Sequence, residues 1–309
     1  MHPPGVLEVP RRRAVVRSND MAPPRLRRAL RRVARDRQRG AQPLADEALR
    51  ALATELRRWA LARRDLPPSV ARAVARELAR TQPAMAVFSV WADDWSRAAR
   101  GRGPRTGPLL RWVAARRHQL AAETPGVVRT VRAEIPPRAS VLTISRSSTI
   151  RRALAALSPR SRPSAVRVLE SRPGGEGRAM ARELRQDGLN AAWVPDERAA
   201  EAVRLSDLVL LGADAVEPGG GLIHKVGTRR LAVLAKRHGV PVVVVAGRSK
   251  WRTAVGPRRL PPGFDRTAPR WISEYWTDAG RRRPPQRHEP AGRRTGARRV
   301  RRRGAGTVR

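Results

Sequence analysis

Three short stretches hold the residues best suited to chemistry. The first, Ser145-Arg146-Ser147-Ser148, sets three hydroxyls and a guanidinium at the start of an amphipathic run over 147–157. The second is Glu170-Ser171-Arg172-Pro173-Gly174-Gly175-Glu176-Gly177. Both suit an anion, because hydroxyls and glycine-freed amides at a helix start donate to phosphate oxygens while Arg146 or Arg172 adds a two-pronged charged contact. A plainer use exists for each: Ser147 and Ser148 capping a helix, and Arg172 pairing with an acid. The third stretch runs from Gly212-Ala213-Asp214 through the turn Gly219-Gly220-Gly221 to His224-Lys225-Val226-Gly227-Thr228. Asp214 is the candidate acid or base, since a carboxylate at the mouth of a cleft is a usual proton carrier; its plainer use is to cap a turn. Lys225 is read as opening a helix, where a cation opposes the macrodipole unless an anionic ligand offsets it. His224 is read as a surface histidine, and five scattered histidines without a spaced partner argue against a metal site.

The elements that must position these residues follow from periodicity. Over 25–122 apolar residues recur every three or four positions, as in Leu26, Leu30, Val33 and in Leu44, Ala48, Leu52, Leu56, Trp59. Breaks at Gly40, Pro67-Pro68, Gln82-Pro83 and 101–108 divide this region into helices. Its tryptophans (Trp59, Trp91, Trp95, Trp112) keep helical spacing and are read as core. From Ala139 the period changes. Short β-rich runs at 140–145, 165–170, 191–194, 207–211 and 240–246 alternate with helical stretches at 147–157, 176–186, 196–205 and 225–237. Such alternation requires parallel strands, and the run Val242-Val243-Val244-Val245 requires burial on both faces. The expected fold is therefore α/β: an N-terminal helical domain (25–125) followed by a Rossmann-like, mostly parallel doubly wound sheet (126–280). Ligands of such sheets bind outside the carboxyl ends of the strands, where all three stretches fall.

Composition bounds the remaining classes. The net charge of +40 invites a nucleic-acid partner. Yet residues 1–39 hold twelve Arg against three acids and residues 281–309 twelve Arg against one, so much of the surplus sits at the ends. Segments 1–24 and 281–309 are read as disordered basic tails capable of nonspecific polyanion contact. Only Lys225, Lys236 and Lys250 are lysines among 66 basic residues, the signature of coding bias toward Arg. No apolar run reaches the roughly 18 residues of a membrane span, and Arg17, Asn19 and Asp20 interrupt any export signal after Arg11-Arg12-Arg13. A cytoplasmic protein is expected, with Met1 or Met21 as its start. Absence of cysteine excludes disulfides and a thiol nucleophile.

The runs VLTISRSSTIRRAL, VRVLESRPGGEGRAMARELRQDG and SDLVLLGADAVEPGGGLIHKVGTRRLAVLAKRHGVPVVVVAGRSKW, followed by FDRTAPRWISEYWTDAG, resemble the eukaryotic initiation factor 2B α/β/δ family. That family also includes the methylthioribose-1-phosphate and ribose-1,5-bisphosphate isomerases. The resemblance covers 140–280, with a weaker match at Arg39-Gly40-Ala41 in the helical part. It implies a helical domain before a Rossmann-like one, and a homodimer formed through the latter. It places Arg39, Gly40, Ala41, Asp214 and Lys225 at sugar-phosphate positions, and implies no cofactor. In the isomerases a Cys after the first strand and the Asp of the GAD motif move protons or hydride between sugar carbons. Here Asp214 matches and the Cys position is Ser145, whose hydroxyl is far less acidic than a thiol of pKa ~8.5. Glu176 stands where the isomerases place Gln, His224 where they place Asn, and Gln82 where they place a phosphate-binding Arg before Pro. The expected function is a regulatory or assembly protein similar to initiation factor 2B, binding a phosphorylated sugar or nucleotide in its cleft. Two alternatives stand beside it: a divergent sugar-phosphate aldose–ketose isomerase using Asp214, and an Arg-rich polyanion- or RNA-binding protein.

Overall fold

The computed structural model describes residues 21–100 and 105–285. The expected tails therefore lie largely outside the described residues, as does part of the break at 101–108. Five helices come first: α1 (Pro24–Arg35), α2 (Ala41–Leu61), α3 (Pro68–Thr81), α4 (Ala86–Ala98) and α5 (Thr106–Glu134). Pro24 and Pro68 begin α1 and α3, where a missing N–H costs nothing and the fixed φ suits the helix. The periodic residues Leu30, Val33, Leu44, Leu52 and Leu56 face one another in a single core with Phe88 and Trp95. Trp91 and Trp95 are buried there, the Trp95 indole donating to the Ala71 carbonyl at 2.9 Å, while Trp59 and Trp112 pack at its margin.

Helix α5 runs 29 residues, through Pro125, twelve residues past the last periodic position expected to be helical. The domain division expected at 125/126 falls inside it. Its first half contributes Leu109, Val113 and Leu120 to the helical core, and its second half Val127 and Val131 to a core beneath the sheet. One continuous helix thus belongs to both layers.

After α5 the chain alternates: β1 (Ser140–Ile144), α6 (Ser148–Ala155), β2 (Ala165–Leu169), α7 (Glu176–Gln186), β3 (Ala191–Val194), α8 (Ala199–Arg204) and β4 (Leu208–Leu211). There follow β5 (Ala215–Val216), β6 (Leu222–Lys225), α9 (Thr228–Arg237), β7 (Val242–Val245), β8 (Phe264–Thr267), β9 (Glu274–Thr277) and β10 (Gly280–Arg282). Seven strands form one sheet in the order β10-β9-β7-β4-β1-β2-β3, parallel except where β10 pairs antiparallel with β9. The period-two rule is visible in β7: Val243 and Val245 enter the core under α6 and α7, while Val242 and Val244 enter the core under α8 and α9. Burying each such side chain contributes roughly 1.5–3 kcal/mol.

Three features depart from the sequence reading. Strands β5, β6 and β8 form a small antiparallel sheet, so the glycine turn 219–221 is a hairpin rather than a loop before a helix. Helix α9 begins at Thr228, after Gly227 at φ 95°, and Lys225 is the last residue of β6. Lys225 therefore does not oppose a helix macrodipole as its first residue. Strands β9 and β10 extend the sheet to Arg282, past the expected start of the tail at 281. Among the described residues no helix is long and apolar enough to cross a membrane.

Candidate functional site

Strand order reverses between β1 and β4, and such a switch point leaves a crevice at the carboxyl ends of the two strands. A cavity of about 280 Å³ opens there. Its floor is Ser145, Ser147 and Ser148 after β1, Ala213 and Asp214 after β4, and Lys250 after β7; its roof is the turn 36–40 between α1 and α2. Ser171, Gly174, Glu176, His224 and Lys225 close the sides. Of the residues singled out from sequence, the cavity gathers Arg39, Gly40, Ala41, Ser145, Arg146, Ser147, Glu176, Asp214, His224 and Lys225.

Arg172 is the exception. Its guanidinium turns away to Glu170 at 3.0 Å and Glu197 at 3.5 Å, so the plainer reading, pairing with an acid, holds for it. Arg146 and Arg39 reach the lining but are also engaged, Arg146 with Glu183 at 2.5 Å and Arg39 with Asp36 at 2.6 Å and Glu47 at 2.8 Å. Ser147 caps α6, accepting from the Ile150 amide at 3.3 Å.

The floor is held by unusual backbone. Ser145 and Ser171, both at strand ends, adopt left-handed conformations at φ 62° and 63°, which cost a non-glycine residue of order 1 kcal/mol or more. Gly212 marks a close approach: a Cβ there would lie 2.8 Å from Ser147 Oγ and 3.1 Å from His224 Nε2. Only a hydrogen fits between these loops, so the glycine lets the β1 and β6 segments meet.

His224 is buried rather than exposed, correcting the surface reading. Its Nδ1 lies 3.1 Å from the Thr228 hydroxyl, and burial pushes the imidazole below its usual range, keeping it neutral near pH 7. Asp214 is buried, its backbone N–H bonded to the Ile223 carbonyl and its own carbonyl to the Ala86 amide. Among the described residues its carboxylate makes no hydrogen bond or ion pair.

Lys250 was not foreseen. It closes a tight turn after β7 and is 7% exposed, and among the described residues its ammonium makes no hydrogen bond or ion pair. Burial pushes its pKa down, opposed only in part by the charges of Asp214 and Glu123. The turn is anchored by Glu123 of α5, which accepts from the Ser249 amide at 2.9 Å and hydroxyl at 2.6 Å. Its place at the end of a parallel strand, as one of three lysines in an arginine-rich chain, was the signal available in the sequence.

Gln82 has a structural task. Buried at 1% exposure, its Nε2 donates to the carbonyls of Val33 (2.8 Å), Ala34 (3.2 Å) and Asp36 (3.0 Å). It caps the end of α1 and so holds the roof turn in place. Among the described residues no three His, Asp or Glu side chains are grouped to hold a metal.

Comparison with known proteins bears on this geometry. Residues 37–259 match the Initiation factor 2 subunit family. The ribose 1,5-bisphosphate isomerase of Haloferax volcanii is 27% identical over 293 residues, 85% of this chain and 90% of that protein. Three other relatives of that name align over 44%, 25% and 24% of their own lengths. The solved translation initiation factor eIF-2B of Pyrococcus horikoshii OT3 superposes with a TM-score of 0.75 at 23% identity, covering 85% of this chain and 98% of that one. A chain of the tetrameric eIF2B-beta2-delta2 complex from C. thermophilum superposes at 0.72 and 17% identity, covering 83% and 92%. At these identities the solved structures establish the fold.

Proposed function

Because the chain belongs to the Initiation factor 2 subunit family, we propose that it is a regulatory or assembly protein whose cleft between the α1–α2 turn and the ends of β1, β4 and β7 binds a sugar phosphate. The observation that carries this reading is Lys250. A buried ammonium that makes no hydrogen bond or ion pair among the described residues, its burial only partly offset by the charges of Asp214 and Glu123, opposes folding, and an anion in the cavity would supply what it lacks. The serines and backbone amides that open α6 offer neutral donors to the same anion. A cavity of 280 Å³ lies at the small end of ligand sites, about 300–1,000 Å³, and suits one phosphorylated sugar better than a nucleotide. Assembly with a second copy through the sheet domain belongs to the same reading, and light scattering on the intact protein measures it. The binding test is a thermal-shift screen of phosphorylated pentoses and nucleotides. A pentose phosphate that raises the melting temperature in proportion to its concentration is expected; no shift with any of them contradicts the reading.

A second reading, a divergent aldose–ketose isomerase, is favoured by one observation. Asp214 is a buried carboxylate that makes no hydrogen bond or ion pair among the described residues, in a cavity that also holds a neutral imidazole. Such a pair can exchange protons with a sugar, whereas Ser145 supplies no acidic thiol. Turnover of ribose 1,5-bisphosphate or methylthioribose 1-phosphate, abolished by Asp214→Asn, would establish it. No turnover of either compound would remove it.

A further inference from the structure

The Lys225 end of the cavity is already neutralised from within. Lys225 Nζ lies 2.5 Å from Glu176 Oε1, donates to the Arg37 carbonyl at 3.2 Å and faces the Phe264 ring at 6.0 Å. Two of its three N–H donors are thereby engaged before any ligand arrives. Glu176 is the first residue of α7, so its carboxylate also occupies the favourable end of that helix dipole. A Cβ on Gly174 would lie 2.5 Å from the Glu176 carboxylate, so glycine leaves that carboxylate its present place.

The carboxylate nevertheless has an unused half. The Glu176 side chain is 9% exposed, and its Oε2 is buried with no hydrogen-bond partner among the described residues. Buried carboxylate oxygens are nearly always satisfied, so this atom calls for a donor. A second phosphate here would meet a negative charge and find Lys225 engaged. A hydroxyl or amino group would find an acceptor. Lys250 follows β7 whereas Glu176 follows β2, with β4 and β1 between them in the sheet; it is a buried cation without an ion pair among the described residues, its burial only partly offset by the charges of Asp214 and Glu123.

We infer that the cavity is polarised, selecting a sugar with a single phosphate, held at the Lys250 end, and an uncharged hydroxyl or an amino group donated to Glu176. This rests on the sugar-phosphate reading of the cleft and sharpens it from phosphorylated sugars in general to monophosphates, against bisphosphates. Glu176 acts as a fixed stand-in for the second phosphate: it takes the Lys225 charge that such a group would otherwise use.

Calorimetric titration of ribose 5-phosphate and ribose 1,5-bisphosphate into the intact protein and Glu176→Gln tests this. The wild type is expected to bind the monophosphate about tenfold or more tightly than the bisphosphate, since opposed like charges discriminate strongly in a desolvated site. Glu176→Gln keeps an acceptor for the hydroxyl and frees Lys225. It should lose less than about threefold for the monophosphate and gain about tenfold or more for the bisphosphate. Adding Lys225→Met to Glu176→Gln should abolish that gain, with circular dichroism confirming that each variant folds. A wild type that prefers the bisphosphate, a ratio unchanged by Glu176→Gln, or a gain that survives Lys225→Met would each overturn the inference while leaving the phosphate site standing. Failure of both sugars to bind the wild type would remove the phosphate reading itself, and this inference with it.

Discussion

Replacing Lys250 by Met should make the protein more stable and a poorer binder. The side chain is 7% exposed, and its ammonium has no hydrogen bond or ion pair among the described residues. Asp214 and Glu123 attract it, yet its pKa still lies below the ordinary 10.5, so burial outweighs their attraction. Protons therefore bind the unfolded chain more readily than the folded one, and below pH 10.5 the charge opposes folding. Met fills a similar volume without charge, which places the substitution among stabilising changes of about 0.5–2 kcal/mol. A gain of about 1 kcal/mol raises Tm by roughly 2–4 °C in a protein of this size. Binding moves the other way. Loss of a charge-assisted hydrogen bond to phosphate costs about 1.5–3 kcal/mol, an affinity roughly ten- to 150-fold weaker. Denaturant unfolding across pH 6–11, with titration calorimetry for a pentose phosphate, reads both quantities. The stability advantage should be present near pH 7 and vanish as pH rises through 10.5, where Lys250 is neutral in both states. A less stable Met variant with unchanged affinity would refute this reasoning, since it would mean that the ammonium is satisfied within the fold.

Other outcomes follow from the supports of the cavity. Gln82→Ala removes the donor to three carbonyls at the end of α1, one of them buried, and should cost roughly 1–3 kcal/mol in denaturant unfolding and weaken ligand binding as the roof turn loosens. Glu123→Ala leaves the Ser249 amide and hydroxyl without their acceptor and should weaken phosphate binding about tenfold, whereas Glu123→Gln, which keeps an acceptor oxygen, should stay within about threefold by calorimetry. Phosphate binding should weaken as pH rises, because the bound anion raises the pKa of Lys250 and binding takes up a proton once the free lysine is deprotonated; titrations in buffers of different ionisation enthalpy count that proton. Removal of residues 286–309, which carry Arg but one acid, should abolish retention on RNA together with its steep salt dependence, and retention surviving both trimming and high salt would contradict a role for that tail.

Much of the scaffold was legible because it rests on local periodicity. The alternation of valines across β7 and the three-to-four spacing of Leu44, Ala48, Leu52 and Leu56 are consequences of strand and helix geometry, and both survive into the two sheet cores and the helical core. The switch-point rule then brought Ser145, Ser147 and Asp214 to one cleft from loops far apart in the chain. Short strands were less legible. Leu222–Lys225 carries His and Lys on a four-residue strand whose partners, β5 and β8, lie on either side of it in sequence, so it reads as the start of the next helix until its pairing is seen. Side-chain partners were the least legible: Glu176 lies 49 residues from Lys225, Gln82 lies 49 from Val33, and Ser249 lies 126 from Glu123. Arg172 and Lys250 show the consequence, since an exposed arginine beside acids looks like an anion site from spacing alone, while a lysine whose isolation depends on the whole fold does not.

A structure of the protein soaked with ribose 5-phosphate tests the central claim most directly. The sugar phosphate should lie in the cleft with a phosphate oxygen about 2.7–3.2 Å from Lys250 Nζ, close to the amides that open α6. Density for the phosphate on surface arginines, with the cleft empty at saturating ligand, would contradict it.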